Sequence, residues 1–454
     1  MTKHLKYHLS IFSLLIAQNP LLTNTPILKL QQNFESVNAW EYLDIDEDGK
    51  TCRVSLNKQK LLGLLSENPK LGDLKNSDIF ISFPTVDGKS KIFKMFYSPV
   101  MPIRLMKKFP DIKTFTGIGL ENPRERVSVT VSDNGVKAMI MGSDKNIFID
   151  PLKEYPDLYR VSYDEIGFQL NNQYSGCGDD DVIMMVHPLE NNQNRNDFPD
   201  CVGEAQPCYT IGDTLVTYRF AGIITAEANN EIADGTVAGG LAWLNAMVNQ
   251  INLLWVRELS FCLELIENND VLIYTDNNPT PADFTAYDMY VELPLVLDHI
   301  TEVIGPGGYN TPAGSLMWEY GAVFNTGYGG GLAYVPGSTS ANLPSYSIFN
   351  HEIGHNLGSA HNCSTEGGWR STIGGSIMCW RGSTLPGSNG DQYTSHTIDI
   401  AIKYQQEMYW SSGYYYQRGW TRTPTGNVPP TVSVPDGGFT IPKETPFVLD
   451  GNSN

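Results

Sequence analysis

In the first third of the chain, apolar and polar residues alternate in short runs broken by turn dipeptides. Val127, Val129 and Val131 occupy every second position, the period at which strand side chains share a face. Asn134-Gly135 separates Val127–Val131 from Val136–Met141, and Asp87-Gly88 separates Asp78–Phe83 from Lys91–Tyr97. Both dipeptides tolerate the positive φ of tight hairpins. The pattern predicts a β-rich domain from about residue 30 to about residue 175, with no grouping of catalytic residue types.

Further along, the period changes. Leu215–Thr225 reads as a strand. Leu241, Leu244, Val248, Ile251 and Trp255 recur at helical spacing and predict a helix over Val237–Glu258, with that stripe against a core. Ser260–Ile266 and Val271–Thr275 read as two strands, with Cys262 a buried, inert thiol in the first. Glycine-rich sequence around Gly327–Gly331 leads into a strand, Leu332–Val335, and a later helix is expected over about Ser395 to Met408. Between the two regions, Asn191–Pro207 is rich in Asn, Asp and Pro and contains Arg195. Such a run reads as a solvated linker open to proteolysis.

Composition narrows the possibilities. A chain of 454 residues has room for two or three domains. A net charge of -19 argues against nucleic-acid binding, which needs clustered Lys and Arg. No run approaches the roughly 20 apolar residues of a membrane span. Lys3 and Lys6 precede a short apolar run, Leu9–Ala17. That order reads as a secretory signal peptide, although Leu15 stands where a small residue is preferred before the cut. Seven cysteines leave at least one unpaired within the chain.

The decisive chemistry lies in His351–His361, HEIGHNLGSAH. Residues four apart share a helix face, so His351 and His355 can reach one ion. Pro344 and Ser345 can start the helix, with Ser345 as its N-cap. Gly358 falls where it must stop, and the turn there lets His361 supply a third ligand. Three protein ligands of this kind suit zinc and leave a fourth position for water, the pattern of a catalytic site. Glu352 follows the first ligand and stands beside the metal as general base and acid for that water. Chance would assemble these five fixed residues with a probability on the order of 10⁻⁵.

This is the elongated zinc motif of the metzincins, and Gly375-Ser376-Ile377-Met378 resembles their Met-turn. The resemblance implies that Met378 lies beneath the metal as an apolar floor. Within that group the chain most resembles secreted bacterial members of the reprolysin (adamalysin) branch. Phe109–Gly117 looks like their propeptide, and Asn268-Asn269-Asp270 with Ile273–Asp276 looks like their catalytic domain. Two positions depart from neighbouring patterns. Asn362 follows the third ligand where reprolysins usually have Asp, and Trp380 stands where astacins and serralysins carry a metal-binding Tyr.

Together these features predict an α+β multidomain protein. Residues 1–17 would be a signal peptide, 18–190 an inhibitory β-rich propeptide and 191–207 the activation linker. Residues 208–424 would be a metzincin catalytic domain with a twisted, mostly parallel sheet and long helices. Residues 428–454 resemble the truncated start of a β-sandwich module. The expected activity is that of a secreted, extracellular zinc metalloendopeptidase, monomeric, acting on proteins or peptides. The competing class is a non-catalytic zinc-containing binding or adhesion protein. Gly331, Leu332, Ala333 and Tyr334 are the candidate edge strand for substrate. Cys177, between Gly176 and Gly178, is a candidate thiolate switch on the zinc; the alternative is a disulfide with Cys52, Cys201 or Cys208. Cys363 and Cys379 are expected to bridge the ligand loop and the Met-turn, or to be two separate thiols. The sequence does not decide whether calcium is also bound.

Overall fold

The structure is a computed structural model. It describes residues 37–46, 49–66, 79–142, 145–163, 165, 182–184, 211–308, 311, 313–326, 330–361, 376–378, 392–406 and 419–427. Residues 1–17, Cys177, the linker Asn191–Pro207, Cys201, Cys208, Cys363, Cys379 and the tail from residue 428 lie outside these.

The N-terminal half contains β1 (Trp40–Ile45), β2 (Thr51–Leu56), α1 (Lys58–Ser66), β3 (Phe80–Pro84), β4 (Ser90–Tyr97) and α2 (Ile103–Lys108). It continues with β5 (Lys113–Gly119), β6 (Arg126–Ser132), β7 (Gly135–Met141), β8 (Ile147–Leu152) and β9 (Tyr155–Ser162). These nine strands form one sheet in the order β1-β2-β9-β8-β7-β6-β5-β4-β3. All neighbouring pairs are antiparallel. An isolated bridge between Asn38 and Ser82 brings the two ends of the sheet together, so it curls around its own apolar core, which includes Trp40, Val54, Phe83, Phe93, Val129 and Ile140.

Both expected hairpins form. At β6–β7, Ser132 pairs with Gly135, so the loop is Asp133-Asn134, one residue earlier than the Asn-Gly dipeptide suggested. Gly135 still takes a φ of +116°.

The C-terminal half contains β10 (Val182–Met184), β11 (Thr214–Ile224), α3 (Ala226–Ile232), α4 (Val237–Glu258), β12 (Phe261–Leu265) and α5 (Met289–Val303). Then follow β13 (Tyr320–Phe324), β14 (Gly331–Val335), β15 (Thr339–Asn342), α6 (Tyr346–Asn356), α7 (Ser395–Gln406) and β16 (Thr421–Pro424). The sheet order is β10-β14-β15-β13-β11-β12, with β16 also pairing with β11. Most pairs are parallel; β14–β15 and β11–β16 are antiparallel. The fold is therefore mixed α/β, with a large N-terminal sheet.

Val271–Thr275 does not form the expected strand. A 3-10 turn, Asn269–Leu272, takes up its first two residues, Ile273 makes an isolated bridge to Ile224, and Thr275 makes one to Asn278. The Asn269 side chain accepts from Gly222 N at 2.9 Å and donates to Gly222 O at 3.0 Å. It takes the place of a strand partner and ends the ladder.

Helix α4 spans the predicted residues, but it is buried on both faces. One side carries the expected stripe against the C-terminal sheet. On the other, Asn249 Nδ2 donates to Phe115 O and Val129 O of the N-terminal sheet, at 3.1 and 3.3 Å. Val100, Leu105, Met139, Met141 and Phe148 share a single core with α4 and the C-terminal sheet. Strand alternation explains this: Val136, Ala138 and Ile140 face the inner core, while Met139 and Met141 face α4. No helix among the described residues is long and apolar enough to cross a membrane.

Candidate metal centre

The site is built on α6. Ser345 caps it with an extended backbone, its side chain accepting from Ile348 N, which satisfies a donor that the helix itself cannot. The helix ends at Leu357, and Gly358 takes a φ of +98°. A left-handed residue there suits glycine. The reversed chain carries His361 back towards His351 and His355.

The three Nε2 atoms form a near-equilateral triangle: His351 to His361 is 3.0 Å, His355 to His351 is 3.1 Å and His355 to His361 is 3.1 Å. His351 Nδ1 lies 2.7 Å from Ile377 O, and His355 Nδ1 lies 2.7 Å from Ser359 O. A carbonyl only accepts, so both Nδ1 atoms carry the proton. The lone pairs of His351 and His355 Nε2 then face each other. That arrangement is repulsive unless a cation sits among them, and it is the orientation in which neutral imidazoles bind metal. Burial pushes the His351 imidazole down to about 3, with His361 adding to the effect; burial, with His351 and His361 adding to it, holds His355 well below its ordinary range. The donor set fits zinc, whose ligands in such sites are neutral histidines.

Glu352 is buried, with its carboxylate against β14. A methyl group on Gly331 would lie 2.5 Å from Glu352 Oε1. Below the helix, Met378 is fully buried, and its Sδ occupies the space that a side chain at Gly354 would need. Met378 thus supplies an apolar surface under the ligand helix. Leu332, Ala333 and Tyr334 lie with Gly331 in β14, whose outer edge is paired in parallel with β10: Ala333 opposes Val182, and Tyr334 opposes Ile183.

Several supporting residues left no local trace in the sequence. Asn356 Nδ2 donates to Tyr334 O at 3.1 Å and Thr339 O at 2.9 Å, tying the end of α6 to β14 and β15. Tyr393 OH lies 3.2 Å from Asn350 O and receives Trp255 Nε1–H at 3.3 Å. Glu165, from beyond the N-terminal sheet, accepts at the start of α6. Only the polar Asn in the middle of the motif offered a hint. Cys52 is a free, buried thiol, which removes it as a partner for Cys177, and Cys262 is likewise free and buried.

Comparison with known proteins agrees with this geometry. Residues 214–384 match the model of metallopeptidase family M12B, described as reprolysin-like. That segment, which includes His351, Glu352, His355 and His361, is thus similar to reprolysin-like metallopeptidases. The chain is also similar to the crystal structure of metalloproteinase-II from Bacteroides fragilis, at 10% identity and a TM-score of 0.41, over 76% of this chain and 94% of that one. A search of curated proteins found no match.

Proposed function

We propose that the protein is a secreted zinc endopeptidase, synthesised as a latent precursor. The observation that carries the reading is the triangle of Nε2 atoms, with inward lone pairs, beside the buried carboxylate of Glu352. His351, His355 and His361 would hold the ion. When bound, zinc polarises the scissile carbonyl and acidifies a water molecule. Glu352 takes the proton of the attacking water on a carboxylate oxygen. It then delivers that proton to the departing amine nitrogen. Met378 acts as the floor of a Met-turn and keeps water from the underside of the ligand helix. The edge of β14 receives an extended peptide by main-chain pairing.

Latency is supported by β10. It precedes the linker Asn191–Pro207 and lies along the β14 edge that a substrate would need. In this reading, residues 18–190 are the inhibitory propeptide and 208–424 the catalytic domain. Cleavage within 191–207 detaches β10 from the catalytic segment.

The test is a peptide-library digest with the processed protein, read by mass spectrometry. Cleavage should occur, stop with 1,10-phenanthroline and return with added zinc. No products, or products indifferent to the chelator, would overturn the reading.

A further inference from the structure

The first turn of α6 is gripped from the N-terminal half. Glu165 accepts the Tyr346 N–H on both carboxylate oxygens, at 2.9 and 2.8 Å, and accepts the Ser345 hydroxyl at 3.0 Å. Beside it, the ring of Phe148 on β8 meets that of Tyr346 in a T-shaped contact, with centroids 5.9 Å apart. Alternation along β7 and β8 puts Lys137, Met139 and Met141, with Phe148 and Asp150, on the face turned towards the C-terminal half. Lys137 and Asp150 form an ion pair there.

We propose that Glu165 is a latch that holds the propeptide sheet on the start of the active-site helix. The inference rests on the latency reading above. The carboxyl group satisfies donors that a helix N-terminus leaves open, and it does so five residues before the first metal-binding histidine and six before Glu352. Loosening this contact frees the helix start and the sheet together.

The latch responds to pH. Burial pushes the Glu165 carboxyl up to about 7, helped by Asp150; Lys137, the Tyr346 N–H and the Ser345 hydroxyl pull the other way. From the sheet, Lys137 and Asp150 are the charged groups facing it among the described residues; from α6 come the two donors. A raised carboxyl pKa favours the joined state while the proton is held. The grip is therefore full below the ordinary carboxyl value of 4.5 and is lost as pH rises through about 7. Protonated Glu165 still accepts the Tyr346 N–H on its carbonyl oxygen and donates its hydroxyl to Ser345 Oγ.

The test is hydrogen exchange in the full-length chain, read on the amides of residues 346–349 and corrected for intrinsic exchange. Parent protection should fall roughly 10- to 100-fold between about pH 5 and about pH 8.5. Glu165→Gln keeps the shape without the charge and should stay protected throughout. Glu165→Ala should lose about 5- to 30-fold at about pH 5. A flat parent profile, a Gln variant that follows the parent, or an Ala variant with full protection would overturn the latch. Peptidase assays on the same full-length samples are read separately: an already active parent would overturn latency alone, and the exchange profile would still decide the contact.

Discussion

Gly331 lies directly against the carboxylate of Glu352, leaving no room for a methyl group between β14 and the active-site helix. Ile348 Cγ2 closes the same space, 2.7 Å from where that methyl would stand. The residue that opens β14, the proposed substrate strand, is thus also the one that lets Glu352, the proposed general base, sit beside it. Gly331→Ala should displace Glu352 without touching the histidines. The expected outcome is an on-the-order-of 10²-fold loss in kcat/KM with zinc content unchanged. Turnover near that of the parent would show that the contact is not needed.

The floor of the site makes a stability prediction. Gly354 backs onto Met378 Sδ and Tyr393, so Gly354→Ala overpacks the underside of α6. Denaturant unfolding of the metal-free protein should register a loss of about 1–3 kcal/mol. Met378→Leu conserves volume and should cost less than about 1.5 kcal/mol.

Much of this was legible in the sequence, for identifiable reasons. His351, Glu352, His355, Gly358 and His361 sit within one helix and its stop, so their spacing encodes their geometry. The hairpins and α4 followed from period and turn chemistry. The second buried face of α4 is disguised in the sequence, because Asn245, Asn249 and Asn252 look like a solvated side. Asn249 instead serves strand carbonyls, and Asn252 brackets the backbone of Leu263. The absence of any charge from Val237 to Val256 is the sign that both faces are buried. Helix α5 was hidden by Pro294 inside it. The Glu165 cap and the pairing of β10 with β14 join distant residues, and no local pattern marks them.

Glu292 gives a pH prediction. It is fully buried, and its Oε1 accepts from Asn325 Nδ2 at 2.7 Å. Burial pushes this carboxyl up to about 7, against the pull of the Asn325 amide and the Tyr287 and Asp288 backbone N–H groups. A raised value means the contribution is full below the ordinary carboxyl range and is lost as pH rises through about 7. Glu292→Gln should therefore stabilise the protein near pH 8 by about 1–3 kcal/mol and change little near pH 4.5. Thermal unfolding of both forms across this range checks it; parallel curves would contradict it.

Latency can be divided between strand and thiol. We expect Cys177→Ser in the unprocessed chain to be active, or self-processing, where the parent is silent. Equal latency in both, or Cys177 found in a disulfide by mass spectrometry, would leave the occupied edge of β14 as the block.

The central claim is that three histidines hold zinc while Glu352 moves the proton. Zinc content and peptide turnover measured on one preparation of processed Glu352→Ala test it most directly. The account predicts about one zinc per chain, as the histidine set implies, and turnover reduced by about 10²–10⁴-fold or more. Turnover close to that of the parent at full zinc occupancy would contradict it.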